Sequence, residues 1–150
     1  MKRALFFTAA LYCLICAAHA QTPSRDLSKA VLKNNAAAAE TLLSAGANPN
    51  AAIEVVPGFP TTYLITAASN NSLDLVKLLL RHKALVNQPD GFKATALMAA
   101  AGKGNKAMVE LLLASGADVR AKDDDGKDAL ALARENGSAE VIALLEQKVK

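Results

Sequence analysis

The chain has 150 residues, of which 52% are apolar, 21% are charged and 4% are aromatic, a balance that predicts one soluble domain with an aliphatic core. Its 17 basic residues outnumber the 14 acidic ones, but Lys2 and Arg3 lie in a segment that we expect to be removed, which leaves 15 basic against 14 acidic residues. Because the remaining chain is nearly neutral, its charge gives no support to a nucleic acid or an anionic membrane as a partner.

Residues 1–20 have the three parts of a secretory signal peptide. A basic start is followed by an apolar stretch from Ala4 to Cys16 and by the small-residue end Ala18-His19-Ala20, which fits the A-x-A cleavage rule. Cleavage would leave Gln21 as the first residue of a domain spanning 21–150. The alternative is an uncleaved anchor helix, but the apolar stretch is shorter than the ~20 residues that a bilayer core requires. The short signal peptide indicates a bacterial source, so we expect a periplasmic protein with no stable membrane anchor after cleavage.

Both cysteines, Cys13 and Cys16, lie inside this segment. They follow Tyr12 and Ile15 and so do not fit the small-residue pattern of a lipoprotein signal. The chain from residue 21 onward contains no cysteine, which excludes disulfide bonds, thiolate metal ligands and thiol catalysis from it.

The rest of the chain repeats itself at a spacing of 33 residues. The positions in step are Thr62, Thr95 and Asp128, then Leu64, Leu97 and Leu130, then Ala67, Ala100 and Ala133, and then Leu79, Leu112 and Leu145. An earlier copy, with Leu27, Ala30 and Leu42, fits if four residues are added before the second repeat. The repeats span about 24–52, 53–89, 90–122 and 123–150. The added length falls within Ile53 to Pro60, which we expect to be an extended loop.

Each repeat is predicted to hold two short amphipathic helices. The first helices begin at residues that can cap backbone amides, namely Thr62, Thr95 and Asp128. The second helices begin at equivalent capping residues, namely Asn35, Ser72, Asn105 and Ser138. The turns between them hold residues that tolerate a left-handed backbone, namely Asn34, Asn71, Gly104 and Gly137. The repeated alanines are expected to let the first helices approach closely. Leucine pairs of the second helices are expected to fill the space between repeats, namely Leu78 and Leu79, Leu111 and Leu112, and Leu144 and Leu145.

The repeated segments resemble those of the ankyrin-repeat family. TYLITAA, TALMAAA and DALALAR resemble the signature T-P-L-H-x-A-A, and LVKLLLRHKALVN and MVELLLASGADVR resemble its tail V-K-L-L-L-x-x-G-A-D-V-N. The resemblance covers about Asp26 to Gln147 and implies an all-α solenoid of about four helix-turn-helix repeats with hairpin or loop tips. The chain departs from the signature at its proline and at its histidine, so the hydrogen bond that this histidine supplies is absent. The residues in their place are Tyr63, Ala96 and Ala129, and Ile65, Met98 and Ala131.

Candidate catalytic and metal-binding residues are few. The single histidine after residue 20, His82, is expected to be exposed, and a lone histidine without cysteine indicates neither a metal site nor a catalytic triad. The run Asp123-Asp124-Asp125-Gly126 suggests a calcium loop, but Arg134 stands where the twelfth-position glutamate is needed. We interpret the run as the D-x-x-G turn of an ankyrin tip. No catalytic residue, cofactor or metal site is predicted.

The resemblance also implies a binding surface. Ankyrin repeats bind partners mainly through the hairpin tips and the exposed side of each first helix, which line one concave face. Carried over by register, the partner-binding positions are Gly58, Phe59, Thr61, Ser69, Asn70, Gly91, Phe92, Ala94, Gly102, Lys103, Asp124, Asp125, Lys127, Glu135 and Asn136. Phe59 and Phe92 hold the same tip position in adjacent repeats. Their rings could pack on the neighbouring tip, over Tyr63 or Met98, or anchor a partner, or do both.

These features together predict a monomeric, non-catalytic module that binds another protein in the periplasm and inhibits it, protects it or gives immunity against it. An exported toxin or a stress enzyme would be such a partner. The alternative is a hydrolytic or other enzyme that uses surface carboxylates such as Asp124 and Asp125. Turnover that is lost when both become asparagine would indicate the enzyme.

Overall fold

The computed structural model describes residues 25–136 and 138–149. The predicted signal peptide and the turn residue Gly137 lie outside the described residues. Within them the elements are α1 (25–32), α2 (Ala36–Ser44), β1 (Ala52–Val56), β2 (Phe59–Thr62), α3 (Tyr63–Ser69), α4 (Leu73–Arg81), α5 (Ala96–Gly102), α6 (Lys106–Ala114), α7 (Ala129–Asn136) and α8 (Ala139–Val149). No helix in this part of the chain is long and apolar enough to cross a membrane.

The helices form a stack of pairs. In each of the last three repeats the first helix packs against the second helix of the same repeat. The first helices α3, α5 and α7 also pack against one another in a row, and second helices meet where α2 contacts α4 and α6 contacts α8. The chain is therefore a solenoid in which each repeat contacts its neighbours, as predicted.

Side-chain caps start the first helices as predicted. The hydroxyl of Thr62 accepts a hydrogen bond from the Ile65 amide at 3.1 Å. The hydroxyl of Thr95 and the carboxylate of Asp128 accept equivalent bonds at 3.4 and 2.8 Å. Each bond satisfies an amide that the first helical turn leaves unpaired, which stabilises a helix by about 1 kcal/mol.

The second helices α2, α4 and α6 begin after the predicted residues, and two of these three residues cap with their side chains. The side-chain oxygens of Asn35 and Asn105 each accept a bond at 3.0 Å from the amide three residues further on. Ser72 is the N-cap of α4, as predicted, but its side chain makes no cap bond to a backbone amide. Its buried hydroxyl instead donates a long hydrogen bond, of 3.5 Å, to the carbonyl oxygen of Asn70, so the side chain bonds locally outside the helix.

The turns between paired helices have the left-handed backbone that the sequence predicts. The φ angles of Asn34, Asn71 and Gly104 are 53°, 59° and 67°. At Gly104 a second constraint applies, because a Cβ atom there would lie 3.2 Å from the Cβ of Ser138 in the next repeat. Glycine therefore serves both the turn and the close approach of the last two repeats.

The core lies between neighbouring repeats. Its fully buried members include the predicted sets Leu79, Leu112 and Leu145, and Ala67, Ala100 and Ala133. The alanine methyl groups take little room, so the first helices lie against one another while the leucines fill the space between the second helices. Leu111 and Leu144 are only partly buried, so the leucine pairs are not equally enclosed.

The stretch from Ile53 to Pro60 is not a loop, and the all-α prediction needs this correction. β1 and β2 form an antiparallel hairpin in which Ile53 pairs with Thr61 and Val56 pairs with Phe59, with a register shift between Glu54 and Val56. The buried Ile53 side chain and the two valines that follow favour a strand, and Gly58 with φ of 81° allows a two-residue turn. Over the residues that the structure describes, the fold is predominantly helical, with one two-stranded sheet at the tip of the second repeat.

Candidate functional site

The tips of the third and fourth repeats are built by the same aspartate turn. In the third repeat, Oδ1 of Asp90 accepts hydrogen bonds from the amides of Phe92 and Ala94 at 2.8 and 2.9 Å. In the fourth, Oδ1 of Asp123 accepts them from the amides of Asp125 and Lys127 at 3.0 and 2.8 Å. The Asp123 carboxylate is therefore a turn-forming group, which agrees with the D-x-x-G interpretation.

Backbone hydrogen bonds join the three tips into one row. The amide of Gly91 donates to the carbonyl oxygen of Pro60 in β2 at 2.8 Å, and the amide of Asp124 donates to that of Phe92 at 3.0 Å. Gly91 approaches so closely that a Cβ atom there would lie 3.3 Å from Cδ of Pro60. The hairpin and the two turns therefore present one continuous surface, which we call the tip row (Ala52–Thr62, 90–94 and 123–127).

Phe59 and Phe92 lie together on the tip row. Their ring centroids are 4.8 Å apart and the ring planes are inclined by 12°, so the rings stack. The two residues remain 46% and 51% exposed. The rings therefore pack on each other across neighbouring tips, and about half of each residue's surface is still accessible to a partner.

The other predicted positions lie on the tip row or on the last residues of the first helices. Six of them are exposed on the tip row or at its turns, namely Gly58, Phe59, Gly91, Phe92, Asp124 and Asp125. Three tip positions are half-buried, namely Thr61, Ala94 and Lys127. The remaining six lie at the C-terminal ends of α3, α5 and α7 or directly after them, namely Ser69, Asn70, Gly102, Lys103, Glu135 and Asn136. Of these, Ser69 and Gly102 are half-buried and the rest are exposed.

Two lysines of the tip row form ion pairs with nearby carboxylates. Nζ of Lys93 lies 2.8 Å from Oδ1 of Asp124, and Nζ of Lys127 lies 2.7 Å from Oε1 of Glu135. The hydrogen bond to each carboxylate, followed by its charge, raises the pKa of Lys93 and of Lys127. Lys93 was not among the predicted positions, and its place directly after Phe92 is the only sequence signal that could have indicated it.

A groove runs between the hairpin and the first helices. It has a volume of about 410 Å³, and its walls combine apolar and polar side chains. The residues that line it are Leu32, Val55, Thr61, Ile65, Thr66, Ser69, Asn70 and Asp90. Thr61, Ser69 and Asn70 were predicted. Val55 was missed because the stretch before Pro60 was expected to be a loop, and Leu32 because no position of the first repeat was among the predicted ones.

Comparison with known families agrees with this architecture. A family model described as ankyrin repeats (3 copies) matches residues 27–123 and 64–150, which together span most of the chain. The chain belongs to the ankyrin-repeat family. Ankyrin repeats are in general protein–protein interaction modules and typically do not catalyse reactions. A search of curated proteins found no match.

The single histidine of the ankyrin domain has a structural contact. Its Nε2 lies 3.3 Å from Oε1 of Glu40, whose other oxygen accepts a bond from Nη2 of Arg81 at 3.0 Å. The side chain of His82 is 27% exposed, so the expectation of a freely exposed histidine is wrong. The contacts join the end of α4 to α2. Among the described residues, no group of three histidine, cysteine or acidic side chains is placed to hold a metal ion.

Proposed function

We propose that this ankyrin-repeat protein is a non-catalytic binding module of the periplasm, which holds one partner protein against the tip row and the ends of the first helices. Binding would change the partner's activity or stability by inhibiting it, protecting it or giving immunity against it. The features of residues 1–20 support export, and the family supports binding rather than catalysis.

The stacked pair Phe59 and Phe92 is the observation that carries this proposal. Two phenylalanines that remain half exposed at the same tip position form an apolar surface that water solvates poorly. Large apolar residues ringed by polar groups are typical of the centre of a protein interface. Here the surrounding polar groups include the Lys93–Asp124 ion pair.

Capture from a periplasmic extract tests the proposal. The immobilised chain from Gln21 onward is incubated with the extract, and retained proteins are identified by mass spectrometry. We expect one major partner that the Phe59→Ala/Phe92→Ala variant no longer retains. Leu85→Ala is the matched control, since Leu85 is an apolar side chain with 60% exposure that lies off the tip row. Retention of the same partner by wild type and the double variant would contradict the proposed surface.

A further inference from the structure

The hairpin that replaces the expected loop has one edge in use and one edge open. β2 continues into the tip row, because the carbonyl oxygen of Pro60 accepts the bond from Gly91. Among the described residues, β1 pairs with β2 alone, so the sheet ends there with two strands. The backbone groups on the outer side of β1 are therefore available to another extended chain.

The residues of β1 do little to discourage such pairing. Val55 and Val56 are 52% and 55% exposed, and no proline or lysine interrupts the strand Ala52–Val56. Edge strands are commonly protected by such residues or by a covering element. Val55 lines the groove together with Leu32 and Ile65. The next residue, Val56, pairs with Phe59 across the hairpin, so β1 adjoins the stacked phenylalanines as well.

The charged residues of β1 and of the groove's described lining are acidic. Glu54, the middle residue of β1, is exposed and has no ion-pair partner in the part of the chain that the structure describes. Asp90 is the one charged residue that lines the groove, and none of the described lining residues is basic. A second copy of this chain is a poor occupant, because antiparallel pairing centred on β1 would place Glu54 opposite Glu54. A basic segment is the complementary occupant.

We propose that the free edge of β1 receives an extended segment of the partner protein as a third strand, with lysine or arginine opposite Glu54 and an apolar side chain in the groove beside Val55. Main-chain hydrogen bonds to β1 hold the segment, and the groove and the carboxylate select its side chains. The inference rests on the proposed function, since it specifies the kind of chain that the ankyrin tip row recognises.

Selection from a random library of displayed nine-residue peptides tests this inference on protein purified from cells that express the full chain. We expect the selected peptides to alternate β-branched residues with at least one lysine or arginine. A synthetic representative, measured by fluorescence polarisation, should bind about five- to tenfold more weakly to Glu54→Lys, because an attractive cross-strand pair becomes repulsive. Glu110→Lys, an exposed charge reversal on α6, is the matched control and should leave the affinity unchanged.

A second measurement separates strand addition from ordinary side-chain binding. Methylating the alternate backbone amides that face β1 removes the hydrogen-bond donors of the peptide without changing its side chains, and we expect binding to be lost. Methylation of the other set should be tolerated. Selected peptides without a basic residue, or equal binding by both methylated forms, would overturn the inference.

The remaining outcomes distinguish this inference from the proposed function. If no peptide is selected while a captured partner still depends on Phe59 and Phe92, strand addition is wrong and the binding surface stands. If the peptide binds as expected but no captured partner depends on the phenylalanines, the proposed anchor is wrong. A dimer that Val56→Lys dissociates would assign the edge to a second copy and overturn the inference.

Discussion

Phe59 and Phe92, 33 residues apart in sequence, stack with their ring centroids 4.8 Å apart at the tips of adjacent repeats. An offset or stacked aromatic pair contributes about 0.5 to 1.5 kcal/mol beyond the area that it buries. Both residues also remain about half exposed, at 46% and 51%. The pair therefore joins two tips and at the same time offers a rigid apolar surface.

Phe92→Ala is expected to weaken partner binding by about 2 kcal/mol, as the removal of a central aromatic anchor does. The free energy of unfolding should fall by less than it does in Leu112→Ala, because the Phe92 ring is half exposed and its removal leaves no sealed cavity. Titration calorimetry with the captured partner measures the first effect, on variants shown to be folded by circular dichroism. If stability falls while the affinity per folded molecule stays constant, the ring serves only to pack the tips.

Leu112→Ala is expected to reduce the free energy of unfolding by about 2 to 5 kcal/mol. Leu112 is completely buried between repeats, so its removal leaves a cavity that the neighbouring helices only partly fill. Leu85→Ala is the control, since that side chain is 60% exposed and should change stability little. Urea unfolding monitored by circular dichroism measures both. Equal midpoints for the two variants would contradict the packing of the second helices.

The helices, their caps and the buried leucines could be predicted because each recurs in register. Three copies at a spacing of 33 residues define which positions are equivalent, and the buried set Leu79, Leu112 and Leu145 follows from that register. The ankyrin fold and the placement of the tips follow in the same way.

The hairpin and the contacts between tips could not be predicted in this way. The stretch around Val55 occurs once in the chain, so no second copy shows that it is a strand. The Lys93–Asp124 ion pair and the groove depend on how closely neighbouring tips approach, which sequence spacing does not specify. At Ser72 the register predicts where α4 begins but not the side-chain bond, because a hydroxyl can bond locally in more than one direction.

Gly104→Ala is expected to destabilise the protein by about 1 to 3 kcal/mol. Gly104 has φ of 67°, and a Cβ atom there would lie 3.2 Å from Cβ of Ser138, so the substitution adds both backbone strain and a close contact. Gly102→Ala is the matched control, since a Cβ atom there would meet only the Asn136 amide nitrogen at 3.7 Å. That control should be neutral or stabilising by up to about 1 kcal/mol. Thermal unfolding of the two variants should therefore shift in opposite directions or by clearly different amounts.

Export predicts a specific processing event. If residues 1–20 act as a signal peptide, the protein recovered from its native host should begin at Gln21. Intact-mass measurement of the recovered protein checks this, and a mass that includes Met1 would contradict it. Ala20→Arg should block cleavage, because the cleavage site requires a small residue. Ala47→Ser, outside the segment, should be processed normally.

The stability of the protein is expected to fall as the pH rises above about 10, and Tyr63 should account for part of this loss. Burial raises the pKa of the Tyr63 phenol, and its hydrogen bond with Ser28 opposes this more weakly. A phenol whose pKa is higher in the folded state ionises at a lower pH in the unfolded chain than in the folded one. Its contribution to the free energy of unfolding is therefore complete below the pKa of the unfolded state and is lost as the pH rises through the pKa of the folded state. The raised pKa values of Lys93 and Lys127 act in the same direction.

Tyr63→Phe isolates the contribution of the phenol to this loss of stability, because the ion pairs of Lys93 and Lys127 remain in the variant. We expect the variant to be less stable than the wild type at pH 7, since the 3.1 Å hydrogen bond between Ser28 and Tyr63 is lost, and the difference to shrink or reverse above about pH 10. Urea unfolding from pH 7 to 11.5 measures both chains under the same conditions. A difference between them that stays constant across this range would show that Tyr63 does not titrate with a raised pKa. Lys127→Met, which retains the phenol, should keep the tyrosine-dependent loss and serves as the control.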